Sequence, residues 1–260
     1  AKLLTVNLSD LAAMGARPHT YLLTLALPTE MGEDWLSGFV TGLARVQERW
    51  GIALVGGDSV SIAGPVCASI TAMGTVPTGD ALLRSGAHVG DDVYVTGSIG
   101  GGVLGLMAAR GELDRVPEDA VADLKQRYDA PTPRGDVGQS LIGVASAAVD
   151  VSDGLLADLG HIARASGVGI SLRAEAIPLS PAAMLAISVK PELKPMALSG
   201  GDDYELAFTA PASRAAAIQV IAERCGLAIT KIGETISGSD VTMLDGNGAA
   251  IATPAGWQHF

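Results

Sequence analysis

Aromatic side chains are scarce in this chain: three tryptophans, four tyrosines and three phenylalanines among 260 residues. A core without large rings must be filled by Ala, Val, Leu and Ile. With 48% hydrophobic residues there is material for one large domain or two of ordinary size. Cysteine is scarcer still. Cys67 and Cys225 are far apart and match no metal-ligand spacing, so no disulfide framework or thiolate metal site is expected. That usage reads as a reduced, cytoplasmic protein. Four histidines, at positions 19, 88, 161 and 259, show no ligand spacing either. Basic residues number 17 against 28 acidic ones, for a net charge of −11. This argues against nucleic acid or an anionic membrane as the main partner, because both call for clustered Lys and Arg. A polyanionic substrate would have to arrive with its own cations. No apolar run is long enough to span a bilayer, and no signal peptide is visible. A G-x-S-x-G elbow and a Walker A loop are both missing, so serine-hydrolase and P-loop chemistry have no support.

What the chain does have is carboxylates at the ends of its elements. The central stretch is Val149-Asp150-Val151-Ser152-Asp153-Gly154-Leu155. It reads as a strand ending in a turn that starts a helix, with Leu155, Leu156, Leu159, Ile162 and Ala163 at helical spacing and Ser152 or Asp153 as N-cap. Alternation along a strand would put Asp150, Ser152 and Gly154 on one face. Two carboxylates and a hydroxyl crowded together suit a hard cation with oxygen ligands, and Mg²⁺ usually holds a phosphate as well. An ordinary capped helix accounts for the same residues.

Upstream, a helix over 3–14, a strand over 20–27, a helix over 33–49, a short buried strand at 52–55 and a strand over 66–76 alternate as in an α+β or α/β unit. Pro77-Thr78-Gly79-Asp80 is a turn cluster and marks a domain boundary. Beyond it come a strand at 93–96, a glycine run from Gly97 to Gly105 opening a helix, helices over 118–128, 135–147 and 154–166, and a strand at 169–172. A proline-punctuated region follows, then a strand at 206–209, a helix over 211–225 and a strand at 228–232.

Gly-Gly-Asp occurs twice, at 56–58 and 200–202. Paired glycines let backbone N–H groups approach phosphate oxygens, and Asp58 would share their metal; a tight turn with a solvated Asp is the alternative. Asp202, Asp203 and Glu205 fall within four residues, and at most two of them can share one side of a strand. Gly100 to Gly105 formally fits G-x-G-x-x-G, but the strand expected after its helix is absent, so a dinucleotide reading is rejected. A glycine-rich helix N-terminus facing a phosphate, or close helix–strand packing, is left. Arg84 beside carboxylates suits a nucleotide phosphate, and a surface role is as simple. Carboxylates, glycine loops, an Arg and no nucleophile fit phosphoryl transfer by positioning and cations.

Residues Val6 to Ala16 (Val-Asn-Leu-Ser-Asp-Leu-Ala-Ala-Met-Gly-Ala), Gly56-Gly57-Asp58-Ser59, Arg84-Ser85-Gly86-Ala87, Val149 to Leu155, Leu198 to Leu206 and the ending Gly256-Trp257-Gln258-His259-Phe260 carry a resemblance. Over its whole length the chain resembles the thiamine-monophosphate kinase family. That family sits in a superfamily with aminoimidazole ribonucleotide synthetase, selenophosphate synthetase and a hydrogenase-maturation protein. The resemblance implies a two-domain α+β fold of the aminoimidazole ribonucleotide synthetase type. Residues 1–78 would form an N-terminal domain that binds ATP and metal and dimerises through its strands, and 79–260 a C-terminal α+β domain. It implies phosphorylation of thiamine monophosphate to thiamine diphosphate by ATP with Mg²⁺, in one in-line step without a catalytic nucleophile, in a homodimer. By motif it places Mg²⁺ ligands at Asp10, Asp58, Asp150 and Asp153, ATP contacts at Gly57, Asp58, Arg84 and Ser152, and substrate contacts at Asp202 and Trp257. Another ATP-dependent enzyme of the superfamily, or a nucleotide-binding chain without catalysis, is the alternative. Family members begin earlier, with Gly-Asp-Asp and Thr-Asp-Thr-like motifs that do not occur here, so the N-terminal domain is expected to be truncated.

Overall fold

The computed structural model describes residues 1–251. The chain opens on α1 (Lys2–Ala13), followed by β1 (Arg17–Pro28), α2 (Glu33–Trp50), β2 (Ala53–Ile62) and β3 (Cys67–Thr75). These strands form a three-stranded sheet in the order β2-β1-β3, with β1 parallel to β2 and antiparallel to β3. Helix α2 is the crossover that a parallel pair requires. Tyr21, Leu23 and Leu25 alternate inward from β1 and pack on Leu4 and Leu8 of α1 and Leu43 and Val46 of α2.

The remainder contains β4 (Asp92–Thr96), α3 (Gly101–Ala109), α4 (Glu118–Asp129), α5 (Gly135–Ser140), β5 (Ala147–Asp150), α6 (Leu155–Ser166), β6 (Gly169–Arg173), α7 (Pro181–Val189), α8 (Lys194–Ser199), β7 (Leu206–Ala210), α9 (Ala215–Cys225), β8 (Ile229–Ile236) and β9 (Val241–Leu244). Six of these are strands of one mixed sheet, ordered β5-β7-β4-β8-β6-β9. Both faces are covered over β4, β5 and β7, which are buried along their whole length. On one face Val93, Val95, Val149 and Ile170 pack against Leu155, Leu159 and Ile162 of α6. On the other, Tyr94, Ala148, Leu206 and Phe208 meet Ile218 and Ile221 of α9, Val137 of α5, and Ala12 and Ala13 of α1. Helix α1 therefore belongs to both cores: its first turns face the small sheet and its last turn the large one. This straddle carries Ser9 and Asp10 to the end of β5.

Four local expectations are corrected. The strand expected at 52–55 runs from Ala53 to Ile62, passes through Gly56-Gly57-Asp58, and is exposed along its whole length. The glycines do not end it because β1 pairs with it throughout, Leu23 opposite Gly57, after a register shift at Tyr21/Leu22. A Cβ on Gly57 would stand 1.7 Å from Leu23 O, at a φ of +146°. The helix expected over 135–147 is only α5; Gly143, at φ +72°, turns the chain before β5. The proline-punctuated region contains α7 and α8, with Pro181 and Pro195 in their first turns, where a missing N–H costs nothing. Strand β5 stops at Asp150, so Ser152 and Gly154 lie beyond it rather than sharing its face. Among the described residues no helix is long and apolar enough to cross a membrane.

Candidate active site

Asp150 is the last residue of β5 and is 5% exposed. Its carboxyl is pushed up to about 7, first by burial and then by the facing charge of Asp10, against the pull of the nearby Ser9 hydroxyl. Asp10 keeps solvent contact, but partial desolvation raises its carboxyl too, with Arg84 opposing the rise. Two carboxylates from separate elements thus confront each other beside one guanidinium.

The turn after Asp150 is held from inside. The N–H groups of Ser152, Asp153 and Gly154 donate to Asp158 Oδ2 at 2.9, 3.0 and 3.1 Å. Neither Ser152 nor Asp153 is the N-cap of α6; that position is Gly154, and a carboxylate from the first turn reaches back to the loop. Asp158 is 3% exposed, and burial lifts its carboxyl to about 6 while the three N–H donors hold it down. The sequence reading missed this residue. Its signal was an acidic side chain a few residues into a helix that lacks a good cap, the acidic half of a capping box. With the backbone donors turned inward, the Ser152 and Asp153 side chains are half-buried at the rim. Arg84 and Asp153 both act on His161, whose imidazole is lowered chiefly by burial, then by Arg84 and Arg164, with Asp153 opposing. Arg84, Asp153 and His161 therefore share one mouth with Asp10.

Residues 200–205 lie against this turn. Asp202 N donates to Ser152 O and Tyr204 N to Val151 O, each at 2.8 Å. Contact is so close that a Cβ on Gly201 would stand 2.3 Å from Ser152 O. The three carboxylates of the stretch go three ways. Asp202 receives Lys2 Nζ at 3.1 Å and Tyr204 OH at 2.8 Å. Asp203 accepts the N–H groups of Gly100 and Gly102, both at 2.9 Å, and burial lifts its carboxyl to about 7 against those donors. The glycine-rich start of α3 is thereby occupied by a side chain of the protein, which favours packing within the fold over the phosphate alternative. Glu205, 3% exposed, accepts from Arg134 Nε and Thr96 Oγ1, each at 2.6 Å, and from Arg134 Nη2. Between them lies a cavity of about 70 Å³, lined by Arg127, Thr132, Arg134, Asp202, Asp203 and Glu205 among others.

The structure brings Asp10, Asp150, Arg84, Ser152 and Asp153 to one mouth. Asp202 adjoins it through Tyr204, whose phenol is raised by burial first, then by Asp202, with Asp150 and Asp10 adding to the rise. Gly57 and Asp58 lie on β2 instead, an exposed edge strand, where Asp58 Oδ1 accepts from Ser59 N at 2.8 Å. Trp257 is outside the described residues. Among the described residues no group of three or more His, Cys, Asp or Glu is arranged to hold a metal ion by itself. What the mouth offers is the Asp10–Asp150 pair.

Residues 1–76 match the family described as AIR synthase related protein, N-terminal domain, and residues 88–246 match AIR synthase related protein, C-terminal domain. A thiamine-monophosphate kinase from Salmonella typhimurium is 44% identical over 233 residues, 90% of this chain and 70% of that protein. The crystal structure of thiamine-monophosphate kinase from Stenotrophomonas maltophilia superimposes with a TM-score of 0.87 at 43% identity, covering 96% of this chain and 78% of that one. A structure described as AaThiL complexed with AMPPCP and TMP gives 0.86 at 32% identity, over 100% and 79% of the two chains.

Proposed function

Since this chain belongs to the thiamine-monophosphate kinase family, within the AIR synthase related proteins, we propose that it transfers the γ-phosphoryl group of ATP to thiamine monophosphate, giving thiamine diphosphate and ADP. The observation that carries the reading is the Asp10–Asp150 pair, set beside Arg84 and the Ser152–Asp153 turn.

The donor set fits Mg²⁺. Asp150 carries an elevated carboxyl because it is buried and because it faces the charge of Asp10, and a divalent cation bound by this pair would let both stay ionised. Mg²⁺ commonly takes one or two protein carboxylates and fills its shell with substrate phosphates and water, so a pair suffices. When bound, the cation neutralises charge on the phosphates and holds them for displacement. Asp10 and Asp150 would hold it from the protein side. Arg84 supplies an exposed guanidinium for a phosphate oxygen. Ser152 offers its hydroxyl at the rim, and Asp202 receives the cationic substrate. The acceptor is itself a phosphate monoester with a second pKa of about 6, so at neutral pH it is mostly ionised and needs no general base. This accords with one direct displacement.

Incubation with Mg²⁺, thiamine monophosphate and ATP labelled in the γ position is expected to place the label in thiamine diphosphate, with inversion at a chiral γ-phosphorus. ADP release without labelled thiamine diphosphate would overturn the substrate, and retention of configuration would overturn the single displacement.

The small sheet supports a homodimer. Strand β2 is an edge, and Leu54, Val55, Val60 and Ile62 on it are exposed, an arrangement that invites pairing with another chain. Asp58 would then face a second copy rather than its own mouth. Sedimentation is expected to give twice the chain mass, and Val55→Lys to give the monomer. A parent chain that sediments as a monomer at all concentrations overturns the dimer.

A further inference from the structure

Lys2 and Tyr204 have no part in the transfer described above, yet both are turned on Asp202. Tyr204 OH donates to Oδ1 at 2.8 Å and Lys2 Nζ donates to Oδ2 at 3.1 Å. The ammonium also lies 3.2 Å from the centroid of the Tyr128 ring and 6.0 Å from that of Tyr204. Lys2 is on α1 and Tyr128 on α4, so three distant parts of the chain meet at one carboxylate. The backbone beneath is held in an uncommon form. Asp202 and Tyr204 have φ values of +67° and +53°, and a bulky Tyr there is an outlier. Hydrogen bonds to Ser152 O and Val151 O, and the Asp203 clamp on Gly100 and Gly102, keep it so. A simple turn would have glycine at these positions. Side chains are present instead, and two of them engage each other.

We propose that Lys2 and Tyr204 are positioning residues that fix the orientation of the Asp202 carboxylate for a cationic, hydrogen-bond-donating heteroaromatic substrate. The assignment rests on the kinase reading above and goes beyond it in naming what aims the substrate contact. Each Asp202 oxygen gives one lone pair to the protein and keeps another for the ligand. Lys2 shares α1 with Asp10, so the helix that contributes to the carboxylate pair also sets the substrate side.

The test is a thermodynamic cycle on the full chain, read by calorimetric binding of thiamine monophosphate and, separately, of Mg·ATP. Tyr204→Phe keeps the ring and removes only the hydroxyl. It is expected to weaken thiamine monophosphate binding roughly 10-fold, the scale for one hydrogen bond to a charged group, while Mg·ATP affinity stays within about twofold. Lys2→Met is expected to act in the same direction and Lys2→Arg to restore part of the loss. In an Asp202→Asn background Tyr204→Phe is expected to add less than about twofold, because the partner it serves is already altered. Melting curves separate these effects from misfolding, and the two Lys2 variants carry the test if Tyr204→Phe folds poorly. A parent chain that binds no thiamine monophosphate overturns the kinase reading and this assignment with it. A parent that binds, with Tyr204→Phe unchanged, additive with Asp202→Asn, or equally damaging to Mg·ATP, overturns the positioning assignment alone.

Discussion

In metal-free buffer at pH 8, Asp150→Asn is expected to melt at a higher temperature than the parent chain while losing nearly all activity when Mg²⁺ is returned. The folded protein binds the Asp150 proton more tightly than the unfolded chain does, with a carboxyl at about 7 against the ordinary 3.8. Stability from this group is therefore complete below the unfolded value and is lost as pH rises towards 7, after which the penalty is constant. Three pH units correspond to about 4 kcal/mol, an upper bound for a coupled pair with some access to water. Asparagine carries no charge to bury, so above pH 7 the variant should gain on the order of 2 kcal/mol, and the gain should vanish near pH 4. Activity should fall about 10²-fold or more, the scale of losing roughly 3 kcal/mol of transition-state stabilisation. Melting curves from pH 4 to pH 8 without metal, paired with turnover at saturating Mg²⁺, test both halves. A variant that melts lower than the parent at pH 8, or one that keeps activity within tenfold, would remove Asp150 from the centre.

Arg134→Ala is expected to be the most destabilising single change near the site. Glu205 has a side chain 4% exposed and receives two of its donors from Arg134, itself 19% exposed. Deleting one partner of such a pair leaves a buried charge with Thr96 alone, which costs about 3–5 kcal/mol. For a chain of this size that lowers the melting temperature by roughly 10 °C. The damage comes from the orphaned charge rather than from lost packing, so Arg134→Ala combined with Glu205→Gln should melt above Arg134→Ala alone. A single-variant cost under about 1 kcal/mol would place the pair with ordinary surface ion pairs.

The sequence made Asp10 and Asp150 legible for a simple reason. Asp150 closes the apolar strand before α6, and Asp10 lies in the Val6–Ala16 stretch that carries the family resemblance, beside the buried stripe of Leu4, Leu8 and Ala12. Helices α2, α4 and α6 were found by the same periodicity. Asp158 was not, because its partners are backbone N–H groups and only the folded turn shows that they lack another acceptor. Strand β2 looked finished at Val55 because two glycines follow, and its continuation depends on pairing with β1. Helices α7 and α8 were hidden by prolines that read as breakers but occupy first turns. The Lys2–Asp202 contact joins residues 200 positions apart, and no local pattern announces it.

The order β5-β7-β4-β8-β6-β9 contains no pair of neighbours that are consecutive along the chain. Among the described residues, therefore, no hairpin joins two of its six strands. Strand β4 must wait for residues 206–210 and 229–236 before either of its edges is paired, and β5 waits for the first of these. During synthesis, α3 to α8 emerge while β4 and β5 still present unpaired backbone groups. Such non-local pairing makes for high contact order, slow closure and a long interval in which apolar strands are open to other chains. Asp92 and Asp150, at the ends of β4 and β5, put a negative charge on each waiting strand, the kind of gatekeeper that disfavours pairing between like-charged nascent chains.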